Sequence, residues 1–154
     1  MKQVIFLYYI YALAGIVLTA FDLIIKHIVN TLKPAFPVID GVFHITYAEN
    51  TGAAFSMFNE HPEFTTILSC ILILLIIGYV IYSKPKKHLE LISLTLMISG
   101  GIGNLVNRLT LGYVVDFFDF RLINFAIFNI ADVFIVVGAC LFILHTFLTS
   151  GKKG

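Results

Sequence analysis

The chain has 154 residues, 59% of them apolar and 12% charged, with a mean hydropathy of +0.97. With glycine counted, about two-thirds of it is non-polar, against roughly 45–50% in soluble globular proteins. A small soluble enzyme must cover its surface with polar residues, a nucleic-acid partner calls for excess positive charge, and a disordered chain is poor in apolar residues. The apolar excess excludes all three, and a net charge of only +1 leaves no excess charge to attract an acidic partner.

A membrane-spanning helix needs about 20 mostly apolar residues, and four segments qualify: 4–29, 64–82, 89–109 and 130–148. The first ends with Asp22 and Lys26, spaced i,i+4 on one face. One reading is a self-compensating pair whose lysine snorkels to the headgroups. The other is that the pair anchors an outer polar layer or meets a lipid-bearing ligand. Ala12-Leu13-Ala14 has the small-x-small look of a cleaved signal peptide, but the apolar run continues to Ala20 behind a single Lys, so an uncleaved span is expected. Leu13-Ala14-Gly15 resembles the start of a lipobox, but Ile16 stands where the cysteine would be.

The segment 36–58 is not a span. Phe43, Ile45 and Tyr47 alternate with His44 and Thr46, the pattern of a half-buried strand. Gly41 and Asn50-Thr51-Gly52 punctuate it as turns. A small sheet at the outer interface is expected, its apolar side toward lipid or the helices. After the second span, Lys84, Lys86 and Lys87 crowd a short loop beside Pro85.

The third span is the weakest, diluted by Ser93, Thr95, Ser99 and three glycines. Gly100 and Gly103 are assigned to close helix contact inside the bundle, and a monomer is expected. Asn104, Asn107 and Arg108 follow at i, i+3 and i+4. Facing lipid, they would leave amides unpaired, so this stripe should point into the protein. A purely structural helix-to-helix network explains it as well. The loop 110–125 is rich in aromatics and is expected to lie in the interface.

Asp116 sits in an apolar run, Val114-Val115-Asp116-Phe117-Phe118, just before the fourth span. At the start of that span Asn129 is a good N-cap type, and Asp132 falls in the first turn, where the helix dipole favours a carboxylate. Capping accounts for Asp132 alone but not for Asp116. Two carboxylates in apolar surroundings at one membrane face form a candidate pair, in which one acid stays protonated beside one carboxylate. That is equipment for splitting a peptide bond with water. Proton relays in transporters use similar residues, and a non-catalytic scaffold is a third possibility.

Basic residues set orientation. Lys2, the three loop lysines, Lys152 and Lys153 share one side if there are four spans, which puts both termini in the cytoplasm. Eight of the nine acids lie toward the other side, Glu90 excepted, and the inner halves of the spans carry almost no polar residues. Cys70 and Cys140 lie within spans and read as small hydrophobes. The five histidines form no zinc motif, and no nucleophile elbow or Walker sequence is present. No metal or cofactor is expected.

Over essentially its whole length the chain resembles the lipoprotein signal peptidases, the type II signal peptidases of bacterial membranes. The resemblance is carried by Asp22 with Lys26, Asn50-Thr51-Gly52-Ala53-Ala54-Phe55-Ser56, Gly100-Gly101-Ile102-Gly103-Asn104-Leu105, Arg108, Gly112-Tyr113-Val114-Val115-Asp116-Phe117 and Phe128-Asn129-Ile130-Ala131-Asp132. It implies a mainly α membrane protein, a four-transmembrane-helix bundle with a small β-sheet at the outer membrane interface, forming one peptidase domain. It implies an aspartyl endopeptidase that removes the signal peptide of diacylglyceryl-modified prolipoproteins just before the lipidated cysteine. It also implies residence in the bacterial cytoplasmic membrane, with the site toward the outer face. The implied catalysts are Asp116 and Asp132. Asn50, Gly52, Asn104, Arg108 and Asn129, with Asp22 and Lys26, would line or support the site. The implied partners are lipidated prolipoproteins and membrane lipid, with no nucleic acid. The alternative is a small proton-coupled membrane transporter. Two positions depart from the family's pattern: Asn107 stands where Asp usually precedes the arginine, and Leu23 where Gln commonly follows the first-helix Asp.

Overall fold

The computed structural model describes residues 2–52, 62–123 and 125–150. Residues 53–58 of the outer segment, with the motif stretch 53–56, and Lys152 and Lys153 lie outside the described residues. In chain order the elements are α1 (Lys2–Leu32), β1 (Ala35–Ile39), β2 (Phe43–Asn50), α2 (Pro62–Ser83), α3 (His88–Leu111), β3 (Val114–Phe120) and α4 (Ile130–Ser150), with a 3-10 turn at Arg121–Ile123. All four helices are long and apolar enough to cross a membrane. Each agrees with its sequence-predicted span to within three residues.

The least apolar helix is the central one. α3 packs on α1, α2 and α4, most extensively on α4. It buries nine of its 24 residues, whereas α4 buries three of 21. The serines and glycines that dilute α3 therefore face protein, and the outer helices keep their large apolar side chains for hydrocarbon. Without a hydrophobic drive between helices in lipid, close backbone approach does the work. A side chain at Gly100 would strike the Ala131 carbonyl and Ile135 of α4, and one at Gly138 would lie 2.7 Å from Met97 Cγ and 2.8 Å from the Ser93 carbonyl oxygen. On the α1 side, Ser99 Oγ donates to the Gly15 carbonyl at 3.2 Å and Thr19 Oγ1 to the Ser99 carbonyl at 3.3 Å. The Gly100–Gly103 spacing thus serves packing inside the bundle.

α1 is about 46 Å long, more than the roughly 30 Å hydrocarbon layer. Toward its end it turns its polar residues inward. Asp22 and Lys26 are 0% exposed, while Phe21 and Ile24 beside them are 51% and 58% exposed. Lys33 closes the helix with a left-handed backbone (φ 46°), and its N–H bonds to the Val29 carbonyl at 2.8 Å. The chain then enters a three-stranded antiparallel sheet in the order β1-β2-β3. β1 is exposed throughout and carries Pro37, as an edge strand tolerates. β2 is central. β3 is the buried strand, and it follows α3 through Gly112, whose φ of 82° makes the left-handed turn out of the helix.

Two sequence expectations change here. The middle of the aromatic loop 110–125 is the third strand, and its residues Val114, Val115, Asp116 and Phe117 are buried against the helix ends. The alternation in β2 does not make one polar face. Ile45 and Tyr47 pack on the small core of Val29, Val115 and Phe117, but His44 is buried too, paired in register with Asp119 of β3. The sheet caps one end of the bundle. The α2–α3 loop closes the other, where the Tyr8 hydroxyl donates to the Pro85 carbonyl at 3.0 Å.

Gly100→Val should force α3 from α4 and cost about 1–3 kcal/mol, as overpacking does, seen as a lower midpoint of thermal unfolding in detergent. Gly78→Ala, where an added Cβ meets nothing within 4 Å, should leave that midpoint unchanged or raise it.

Candidate active site

The site lies where the sheet-side ends of α1, α3 and α4 meet β2 and β3. Its foundation is the Asp22–Lys26 pair, 2.8 Å between Nζ and Oδ2. Asp22 Oδ1 accepts from the Ala131 N–H at 3.0 Å, in the first turn of α4. A Cβ at Gly103 would collide with the same carboxylate, so glycine there makes room for the charge. Lys26 does not snorkel: its ammonium points inward and donates to Asn104 Oδ1 at 2.7 Å. The pair anchors the polar layer and presents no surface to a ligand.

Asn104 relays this anchor to the fourth helix. Its Oδ1 also accepts from Asn129 Nδ2 at 3.1 Å, and its Nδ2 donates to Asp132 Oδ1 at 2.7 Å. Asn129 and Asp132 cap the start of α4 reciprocally: the Asp132 N–H donates to Asn129 Oδ1 at 3.0 Å, and the Asn129 N–H to Asp132 Oδ2 at 3.1 Å. Orphan helix-end donors are thereby satisfied and both side chains locked. Capping and site-building are the same set of bonds.

Asn129 Nδ2 also donates to Asp116 Oδ1, at 2.6 Å. Asp116 is 1% exposed on β3, and its other oxygen accepts from Asn50 Nδ2 at 2.9 Å. Asn50 Oδ1 in turn accepts from the Gly52 N–H at 3.0 Å, and the Gly52 carbonyl accepts from Arg108 Nη2 at 3.1 Å. All nine sequence-predicted site residues therefore join one network. Burial pushes Asp116 up to about 6, with the neighbouring Asp132 charge adding to it and the hydrogen bonds from Asn50 and Asn129 opposing.

Both aspartates line one cavity of about 620 Å³. Its floor is polar, with Asn50, Asn104 and Arg108, and its walls are apolar, formed by residues 125–128 and by Val133, Val136 and Val137 of α4. Val136 is 61% exposed, so the cavity borders the outer, apolar surface of α4. The 125–128 wall was not foreseen. It is held by the Phe128 carbonyl, which accepts from the N–H groups of Phe117 and Phe118 at 3.0 and 2.8 Å, a backbone contact with no signature in side-chain pattern. Asn107 belongs with the site as well. Its Oδ1 accepts from the Val115 N–H at 3.1 Å and pins β3 to α3 one residue before Asp116. That role needs an acceptor and not a charge, so the departure at this position leaves the geometry intact. Its place in the Asn104–Arg108 stripe was the available clue.

The opposite end of the bundle is less apolar than expected. Glu90 is buried there, accepting from the Tyr79 hydroxyl at 2.8 Å and lying 3.5 Å from His145 Nε2. These groups join α2, α3 and α4 and take no part in the outer site.

The family described as signal peptidase (SPase) II matches residues 14–148. The chain belongs to the signal peptidase II family. A lipoprotein signal peptidase of Microcystis aeruginosa is 38% identical over 144 residues, covering 91% of both chains. Another, of Clostridioides difficile, is 39% identical over 142 residues, covering 88% of this chain and 95% of that one. A solved bacterial membrane enzyme, determined by the in meso method at 2.3 Å resolution, superposes with a TM-score of 0.85 at 28% identity, covering 94% of this chain and 91% of that one. The family is one of proteases, so the protein is a membrane-embedded peptidase, as the resemblance implied.

Lys26→Met would strand the Asp22 carboxylate in the interior. It should lose about 3–5 kcal/mol, as breaking a buried ion pair does, and Asp22→Asn in the same chain should restore part of the loss. Denaturation midpoints of the single and double variants in detergent measure both.

Proposed function

We propose that this protein is an aspartyl endopeptidase of the bacterial cytoplasmic membrane, one integral domain that removes the signal peptide of lipid-modified prolipoproteins just before the lipidated cysteine. Asp116 and Asp132 are the catalytic pair. The observation that carries this reading is their sharing of one cavity whose floor is polar and whose walls are apolar. Such a cavity lets acyl chains stay in hydrocarbon while a peptide bond reaches polar catalysts. Both termini and the α2–α3 loop face the cytoplasm by the placement of basic residues, and the site faces outward.

In the proposed reaction the ionised member of the pair takes a proton from a water set between the two carboxyls. The protonated member donates to the scissile carbonyl oxygen and stabilises the charge that develops there. The water oxygen bonds to the carbonyl carbon; the carboxyl that took its proton then gives that proton to the leaving nitrogen as the C–N bond breaks, and the proton lent to the carbonyl oxygen returns to the pair. Which carboxyl holds the proton at rest belongs to the pair and not to either residue. Asn129 holds Asp116 through its side chain and Asp132 through its backbone, and Asn104 holds Asp132, so neither carboxyl needs to reorient during the reaction. Asn50 positions Asp116, and Arg108 fixes the turn that carries Asn50 through Gly52. Asp22 and Lys26 support this layer without touching substrate. The carboxylates gather at one end of the bundle, whereas a proton-coupled transporter needs such groups near the midplane with access from both sides.

Purified protein with a lipidated precursor should yield a shortened product, and an unlipidated precursor should be cut far more slowly. Asp116→Asn and Asp132→Asn should each abolish cleavage while helix content stays unchanged by circular dichroism. Full activity in either variant would remove the assignment.

The raised Asp116 value gives a pH prediction with a definite sign. A carboxyl that binds its proton more tightly folded than unfolded contributes stability at low pH, and this falls as pH rises through the folded value. The thermal midpoint should decline between about pH 4 and pH 6. Asp116→Asn should flatten that decline, as measured by unfolding across the pH range.

A further inference from the structure

A second cavity lies on the side of α3 away from the site. It is a groove of about 850 Å³ between α1 and α2, floored by Leu94 and Ile98 of α3. α1 and α2 each pack on α3 and hardly on each other, so the cleft between them is left unfilled. Along α1 it runs from Tyr8 to Leu23, a rise of about 22 Å, enough for an acyl chain to pass from headgroup level beyond the midplane. Of the three polar residues along its length, Thr19, Thr95 and Ser99, the first and last have their hydroxyls bonded to backbone carbonyls. A chain lying in it would meet a predominantly apolar surface.

The mouth of this groove differs from its length. It opens at the α2–α3 loop, where Lys84 lines it and Lys86 and Lys87 follow. Lys84 has a left-handed backbone, φ 48°, with its N–H bonded to the Val80 carbonyl at 3.1 Å. Glycine or asparagine usually closes a helix in this way, so lysine holds the position against backbone preference. Among the described residues Lys84 has no ion-pair partner. The acid nearest in sequence, Glu90, is engaged by Tyr79 and His145. Beside Lys84 the rim carries Tyr11, hydrogen-bonded to His88 Nδ1 at 2.8 Å, and Tyr8 on the Pro85 carbonyl. Tyrosines and an unpaired lysine at one level are the groups that meet lipid headgroups.

We propose that this groove binds one anionic phospholipid from the leaflet on the α2–α3 loop side. One acyl chain lies along α3 between α1 and α2, and the phosphate sits on Lys84. The positive mouth selects an anionic headgroup over a zwitterionic one, and the chain fills the gap that protein packing leaves. Because such a lipid binds the folded bundle only, it raises the stability of the fold by mass action. The proposal is independent of the aspartate pair and of proteolysis.

The test uses the full chain in detergent, with phosphatidylglycerol and phosphatidylcholine of matched acyl chains, read by native mass spectrometry and thermal unfolding. Phosphatidylglycerol should be retained as a single adduct and raise the unfolding midpoint, with phosphatidylcholine weaker by about fivefold per lysine contact. Lys84→Gln should reduce phosphatidylglycerol to the phosphatidylcholine level, and Lys86→Gln, outside the groove, should keep the preference. Ala12→Trp, which fills the groove, should lose both lipids at unchanged helix content. Equal retention of the two lipids, an unaltered preference in Lys84→Gln, or undiminished binding in Ala12→Trp would overturn the proposal. A protein dimer in place of a lipid adduct would also overturn it, in favour of a second copy in the groove.

Discussion

A charge held among apolar helices must be paired and hydrogen-bonded on the spot, because no water can do it. The Asp22–Lys26 pair meets that demand, and the rest of the polar layer depends on how. Spaced one helical turn apart on α1, the two could have satisfied only each other. Instead, Asp22 takes a backbone N–H from the first turn of α4, and Lys26 gives a hydrogen bond to Asn104 of α3. Three helices are thereby fixed relative to one another at one level. An apolar interface would permit sliding; this one is held in register by the Asp22–Lys26 ion pair and its bonds to Ala131 and Asn104.

The same constraint makes α3 the centre of the bundle. Its serines, glycines and asparagines would be costly against lipid and are useful against protein. Small residues let α1 and α4 come close, and the asparagines bridge them. The price is a helix that reads as the poorest span in hydropathy. Its neighbours carry the opposite balance, with exposed leucines, isoleucines and phenylalanines meeting hydrocarbon.

Above this layer, each carboxylate is held by groups with other structural duties. Asp132 belongs to the cap of α4, and Asp116 to a strand pinned by Asn107 and braced by Asn129 and Asn50. Rigid elements rather than mobile side chains set where the carboxyls stand, which is how a constellation of side chains is pre-organised. The sheet contributes twice: β3 carries Asp116 down onto the helix ends, and β2 delivers Asn50 to it. The apolar wall beside them sets this polar cluster next to the exposed apolar face of α4.

Hydropathy alone located the four helices, because the length of a span and the exclusion of charge from it are local properties of the chain. The isolated charges were legible for the same reason: Asp22, Lys26, Arg108, Asp116 and Asp132 stand out in a chain with so few. Helical spacing also showed that Asn104, Asn107 and Arg108 share a face. Direction and partnership were not local. Whether Lys26 snorkelled or turned inward depended on Asn104, 78 residues away in the chain. That 114–120 forms a strand depended on β2 and on the Phe128 carbonyl, and the place of His44 opposite Asp119 depended on the register of β2 with β3. Composition and periodicity determined what had to be in the membrane and which residues did not belong there. Only the tertiary structure decided what each of those residues bonds to, because a buried polar group takes its meaning from partners that the fold brings from elsewhere in the chain.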